Sequence, residues 1–271
     1  MTPTIFIHEV NMLIEMLHKG APVTLGAIPW ASPVISFGDP VKSKVATLGL
    51  NPSNLEFVDS KGNLLIAPYN RFESLATLRV RDWSEVAKLD IKKVWQACEG
   101  YFYRNPYGQW FNRLQKILVG TGTSYYSRIG WTACHLDLVP FATSQKWSSL
   151  RVDQRQNLLQ LGVPSLVRTI KSSDIRVLVL NGNTVVKEFS RLLNSTQKLV
   201  PQVMPSWALQ NGRVAGVAYT GRVSELNNIP LDRELLVLGY NHNIQSSFGV
   251  TNEAVSRIAA WVASHSVGSL P

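Results

Sequence analysis

Lys44-Val45-Ala46-Thr47-Leu48-Gly49-Leu50-Asn51-Pro52-Ser53-Asn54 is an apolar run that stops at a glycine and then presents an amide and a proline. A continuous apolar run of this length, bounded by turn residues, reads as a β-strand covered on both faces. In open α/β sheets ligands collect beyond the carboxyl ends of such strands, so the stretch predicts Asn51 at the rim of a pocket. A plainer reading is also open, in which Asn51 is the N-cap of a helix that follows a strand-to-helix turn.

Elements of the same kind recur on both sides. Arg176-Val177-Leu178-Val179-Leu180 reads as a buried strand that Asn181-Gly182-Asn183 turns into a helix over 184–193. Residues 130–141 read as a strand with polar interruptions, on which His135, Asp137 and Val139 share a face. Further strands are expected at 34–37, 212–220 and 234–239. Helical periods cover 5–19, 91–102, 110–118, 151–170 and 252–264, with Gly162-Val163-Pro164 marking a break in the fourth. Helices between parallel strands predict an α/β fold, a three-layer α/β/α sandwich with a central, mostly parallel sheet. The 271 residues are read as one domain, 1–271, of which 1–40 form an N-terminal helix and an irregular approach segment.

With 45% hydrophobic and 17% charged residues the chain can bury a sizeable core and is not a disordered type. The formal charge is +9, which favours a polyanionic partner because each neutralised phosphate releases condensed counterions. Cys98 and Cys134 are too few for a disulfide framework or for an iron–sulfur cluster, and the five His show no metal-ligand spacing. No cofactor and no metal are expected. No secretory pattern or run of ~18 apolar residues is present, so a cytoplasmic location without a membrane partner is expected.

Gly49-Leu50-Asn51-Pro52-Ser53 resembles the first signature of the uracil-DNA glycosylase superfamily, whose mismatch-specific and single-strand-selective branches carry Gly-x-Asn-Pro-small there. The resemblance spans roughly 45–262. It implies that Asn51 activates water, that Ser53 stands where the uracil-specific branch has a tyrosine rejecting C5 substituents, and that an aromatic ring after this motif stacks on the extruded base. Phe72 is the first candidate for that ring and Tyr69 the second; Phe72 as a simple anchor for the next helix is the plainer reading. Asp137 resembles the position of the asparagine that reads the base edge, while His135 is expected to be a satisfied core histidine. The loop after the last strand, Tyr240-Asn241-His242-Asn243-Ile244-Gln245-Ser246-Ser247, resembles the second signature. There His242 and Ser247 fit a His-x-x-x-x-Ser frame, with His242 donating to the pyrimidine O2. Asn243, where the family has proline, and Gln245, Ser246 and Ser247 would form the DNA-binding loop. Asn105-Pro106-Tyr107 also invites comparison with amino-methyltransferases, but it follows a helical pattern and no glycine-rich cofactor loop precedes it.

The resemblance implies a monofunctional DNA glycosylase, a monomer that flips a base from double-stranded DNA and leaves an abasic site, since no lysine matches a Schiff-base position. Two departures bear on its substrate. Ser53 leaves the C5 wall open. An ionised Asp137 accepts hydrogen bonds but cannot donate them, which suits the amino group of cytosine better than uracil. Together they point to a C5-modified cytosine, such as the glucosylated hydroxymethylcytosine of phage DNA removed by an antiviral branch. The alternatives are uracil repair and a catalytically silent DNA-binding module of the same fold.

Overall fold

The computed structural model describes residues 4–127, 131–245 and 249–270. In chain order its elements are α1 (Thr4–His18), α2 (Ala21–Thr24), β1 (Ser43–Gly49), α3 (Leu75–Leu78), α4 (Lys88–Glu99), α5 (Gly108–Gln115) and β2 (Thr132–Asp137). There follow α6 (Val152–Lys171), β3 (Val177–Asn181), α7 (Asn183–Ser190), β4 (Val200–Val203), β5 (Val217–Leu226), β6 (Ile229–Tyr240) and α8 (Asn252–Ser266). The chain is mixed α/β, a six-stranded central sheet flanked by helices, in keeping with the three-layer class expected. It divides into two compact units, the first from residues 1–39, 50–107 and 136–172, the second from 40–49, 108–135 and 173–271. None of its helices is long and apolar enough to cross a membrane among the described residues.

In the second unit the strands run in the order β2-β1-β3-β6-β5-β4. β1 pairs with β3 in parallel, Val45 opposite Val177 and Leu48 opposite Leu180, and β3 pairs in parallel with β6 from Val177–Leu236 to Asn181–Tyr240. This core is built from the runs with no exposed side, as burial on both faces requires. Thr47 is the one polar residue in the middle of β1, and its hydroxyl meets His135 Nδ1 at 2.7 Å, so His135 is a satisfied core histidine.

Beyond β6 the sheet turns antiparallel. β5 and β6 form a hairpin whose two-residue turn, Asn227-Asn228, has φ of 50° and 62°, the left-handed pair that a type I′ turn needs. The strand expected at 212–220 therefore begins later, at Val217. Its expected first half is a turn in which Gln210, Asn211 and Gly212 all have positive φ. β4, an exposed edge strand carrying Pro201, pairs only with β5.

In the first unit α1 packs on α4, with Phe6 stacked on Trp95 at 4.8 Å. Residues 34–37 form no strand; Val34 instead donates a single backbone bond to Pro140 O at 2.8 Å. The expected break in the fourth helix is absent, because α6 runs unbroken through Pro164. Loss of one backbone bond is outweighed by a buried face that includes Leu158, Val163, Leu166 and Ile170, and by the Arg168–Glu9 ion pair at 2.6 Å, in which Glu9 is buried. Gly162 fixes how closely this helix approaches the segment after β2. A Cβ there would lie 2.7 Å from Pro140 Cδ, 2.8 Å from Leu138 O and 2.9 Å from Val139 Cα. Two of those neighbours are backbone and cannot rotate away. Gly162→Ala is therefore expected to lower the urea midpoint, by about 1–3 kcal/mol at unchanged m-value, although alanine is the better helix former. An unchanged or higher midpoint would show that the contact is not tight.

Candidate active site

The end of the first signature is held rigidly in the first unit. Leu50 O accepts from Val139 N at 2.9 Å, which ties the chain just before Asn51 to the chain just after β2. The Asn51 Nδ2 then points at three oxygens: Thr143 Oγ1 at 3.1 Å, Pro52 O at 3.1 Å and Phe141 O at 3.4 Å. Two are carbonyls, which only accept. The third belongs to a hydroxyl that spends its proton on Gln145 O at 2.7 Å. A triple-acceptor environment admits the NH2 of an amide and rejects its oxygen, so the orientation of Asn51 is dictated by its neighbours. Its Oδ1 meets no donor among the described residues. Asn51 is not a helix N-cap; the exposed Ser53 has that role, its Oγ accepting from Leu55 N at 3.2 Å to start a short 3-10 turn over Asn54–Glu56.

That turn carries Glu56 into the interior, where it is only 3% exposed. Tyr101 donates its hydroxyl proton to Glu56 Oε2 at 2.7 Å while accepting from Tyr107 N at 2.8 Å. Burial pushes the Glu56 carboxyl up to about 8; the Tyr101 bond and the Arg71 charge pull against that rise, and the charge of Asp137 adds to it. Glu56 is thus a neutral carboxylic acid near pH 7. Arg71 is itself held by Leu55 O at 2.9 Å and lies over the Tyr107 ring.

Phe72 lies flat on Tyr101, ring centroids 5.0 Å apart and planes 16° apart, with Phe37 edge-on at 5.2 Å. It is 2% exposed, so one face is covered and the ring belongs to the packed interior; Tyr69, the second candidate, is 68% exposed. Asp137 is buried at the end of β2. Asn51, Ser53, Phe72 and Asp137 therefore share the first unit with Glu56 and Tyr101.

His242, Asn243 and Gln245 belong to the second unit. His242 is buried, with Nε2 2.7 Å from Trp207 O. Because a carbonyl only accepts, the proton sits on Nε2 and is engaged there, which leaves Nδ1 as an acceptor in the neutral ring. The donor role expected of His242 thus requires the imidazolium form or a turned ring. Asn243 is exposed and closes an Asx turn, its Oδ1 accepting from Gln245 N at 3.1 Å, while Gln245 Nε2 donates to Trp110 O at 3.0 Å. Ile244 is fully buried. Ser246 and Ser247 lie outside the described residues.

Glu56 and Tyr101 went unremarked as site residues in the sequence. The one signal was an isolated acidic residue between Leu55 and Phe57, five positions after Asn51, in a turn where a carboxylate ordinarily faces water. No family model matches the chain, and no curated protein matches it.

Proposed function

We propose that the protein is a monofunctional DNA glycosylase that flips a modified pyrimidine out of double-stranded DNA and hydrolyses its N-glycosidic bond. The observation that carries this reading is the forced orientation of Asn51. An amide whose NH2 is fully engaged with the framework and whose oxygen is unpartnered can accept a proton of one water and fix where that water's lone pair points. Bond cleavage sends the C1′–N1 electron pair to the departing base. The held water attacks the positively charged C1′, loses a proton and leaves a hydroxyl on the sugar, while the base anion takes up a proton. The +9 charge supports a DNA partner, and extrusion of the base costs a few kcal/mol that contacts to the backbone offset.

The substrate that fits best is a C5-modified cytosine, with glucosylated hydroxymethylcytosine as the leading member. The exposed, small Ser53 sets no wall against a C5 group, and the Asp137 carboxylate accepts from an exocyclic amine. The test is abasic-site formation on duplexes that carry uracil, hydroxymethylcytosine or its glucosylated form. Modified cytosine should be excised fastest. Asp137→Asn should lower modified-cytosine excision and raise uracil excision, each by about 10–100-fold, since one buried hydrogen bond discriminates by ~1–3 kcal/mol. Efficient uracil excision with no modified-cytosine excision would replace this substrate with ordinary repair, and no abasic product from any duplex would remove the glycosylase reading itself.

A further inference from the structure

We infer that Glu56 is a second edge-reading group, one that donates a hydrogen bond to N3 of a flipped cytosine while Asp137 accepts from the 4-amino group. The inference rests on the glycosylase reading above and names what decides its base choice. Glu56 is buried, yet only one of its two oxygens has a partner: Oε2 accepts from Tyr101, and Oε1 has no hydrogen-bond partner among the described residues. A buried carboxyl with a vacant oxygen needs a reason to exist, since an unmet buried polar atom costs about 1–3 kcal/mol.

The position of its proton follows from the neighbours. Tyr107 N donates to the Tyr101 oxygen, so the Tyr101 hydrogen is directed at Oε2, and the acid proton of neutral Glu56 sits on Oε1. Oε1 is therefore a donor near neutral pH. Asp137, close enough for its charge to favour protonation of Glu56, is an acceptor when ionised. One donor and one acceptor form a two-point reader. Cytosine offers an amino donor at C4 beside an acceptor at N3, the complement of that pair. Uracil offers an acceptor at O4 beside a donor at N3, the reverse pattern, and meets a mismatch at both points. This answers a difficulty that Asp137 alone leaves, because a lone carboxylate cannot satisfy an acceptor such as N3.

A purely structural Glu56 would anchor Tyr101, and through it Phe72, and nothing more. Glu56→Gln keeps an oxygen for Tyr101 and an N–H donor in place of the acid, but cannot ionise. Glu56→Leu keeps much of the volume and removes the reader. Two measurements separate the roles. The first is equilibrium binding of duplexes carrying a 2′-fluorinated nucleotide, whose fluorine slows glycosidic cleavage, with 5-hydroxymethylcytosine or uracil as the base. The second is abasic-site formation on the corresponding hydrolysable duplexes. In binding, the unaltered protein should prefer the modified cytosine, and that preference should fade above about pH 8 as Glu56 ionises. Glu56→Gln should keep the preference and lose its pH dependence. Glu56→Leu should reduce the preference by roughly 10-fold or more, with uracil binding unchanged or stronger. The inference is overturned if the unaltered protein shows no preference, if Glu56→Leu weakens both duplexes alike, or if Glu56→Gln keeps the alkaline decline. Abasic product from neither hydrolysable duplex alongside a Glu56-dependent preference would remove the glycosylase reading while leaving the base reader standing.

Discussion

Asn51→Ala is expected to lower the single-turnover rate of base excision by roughly 10²–10³-fold while duplex binding changes little, a loss of the size seen when one preorganised polar group is removed from a reacting centre. The argument runs from the three acceptors around Nδ2. They hold the amide in one orientation without help from substrate, so Oδ1 is in place before DNA arrives and no reorganisation is needed at the moment of reaction. Alanine removes the oxygen but leaves Ser53 capping its turn and Leu50 tied to Val139, so the surrounding backbone should persist. Asn51→Asp should be worse in a different way. It would set a carboxylate oxygen against two carbonyls and a hydroxyl whose proton is committed elsewhere, and so should lower the melting temperature as well as the rate. Thermal melts and single-turnover assays on the two variants distinguish these effects. Full turnover by Asn51→Ala would show that water is held by another group.

The parts of the fold visible in the sequence are those where a single local signal dominates. β1 and β3 are runs with no polar face, and such runs fit only the middle of a covered sheet. β4 is invisible for the opposite reason: four exposed residues including a proline have neither period nor hydrophobicity, and only the free edge of β5 makes them a strand. The hairpin was legible in principle, since Asn227-Asn228 is a left-handed pair, but the alternation upstream of it attracted the strand assignment to 212–220 instead. Gly162-Val163-Pro164 reads locally as a break, and tertiary packing of Gly162 against 138–140 overrides it. The same division holds for the candidate site. Asn51 announces itself because an amide after a buried strand has few structural uses. Glu56 does not, because its burial depends on Tyr101, 45 residues away, and its protonation on that burial. The tautomer of His242 is likewise decided by a distant backbone carbonyl, that of Trp207.

Glu56 also makes folding stability depend on pH in a direction opposite to that of most carboxylates. Its pKa rises from 4.5 to about 8 on folding, with burial the main cause. The folded state therefore holds the proton more tightly than the unfolded chain. The contribution is fully present below pH 4.5, declines by about 1.4 kcal/mol per pH unit once the unfolded chain begins to ionise, and is exhausted as pH passes through about 8. Across that window the loss is on the order of 5 kcal/mol, comparable to the whole stability of a modest domain. Most acidic groups here act the other way. Asp59, Asp82 and Asp90 are held below their ordinary range by side-chain hydrogen bonds, and they lose their contributions only as pH falls well below neutrality. Between pH 5 and 8 the slope therefore belongs mainly to Glu56. Glu56→Gln cannot ionise, retains an oxygen for Tyr101, and should flatten the curve. Its urea midpoint should fall below that of the unaltered protein at pH 5 or match it, and should exceed it at pH 8.5, with equal m-values throughout. Asp137→Asn removes the charge that helps hold the Glu56 proton, so it should move the end of the decline to lower pH without abolishing it. If the unaltered protein and Glu56→Gln lose stability in parallel from pH 5 to 8, Glu56 is ionised in the folded state, and the neutral acid on which its base-reading role depends does not form.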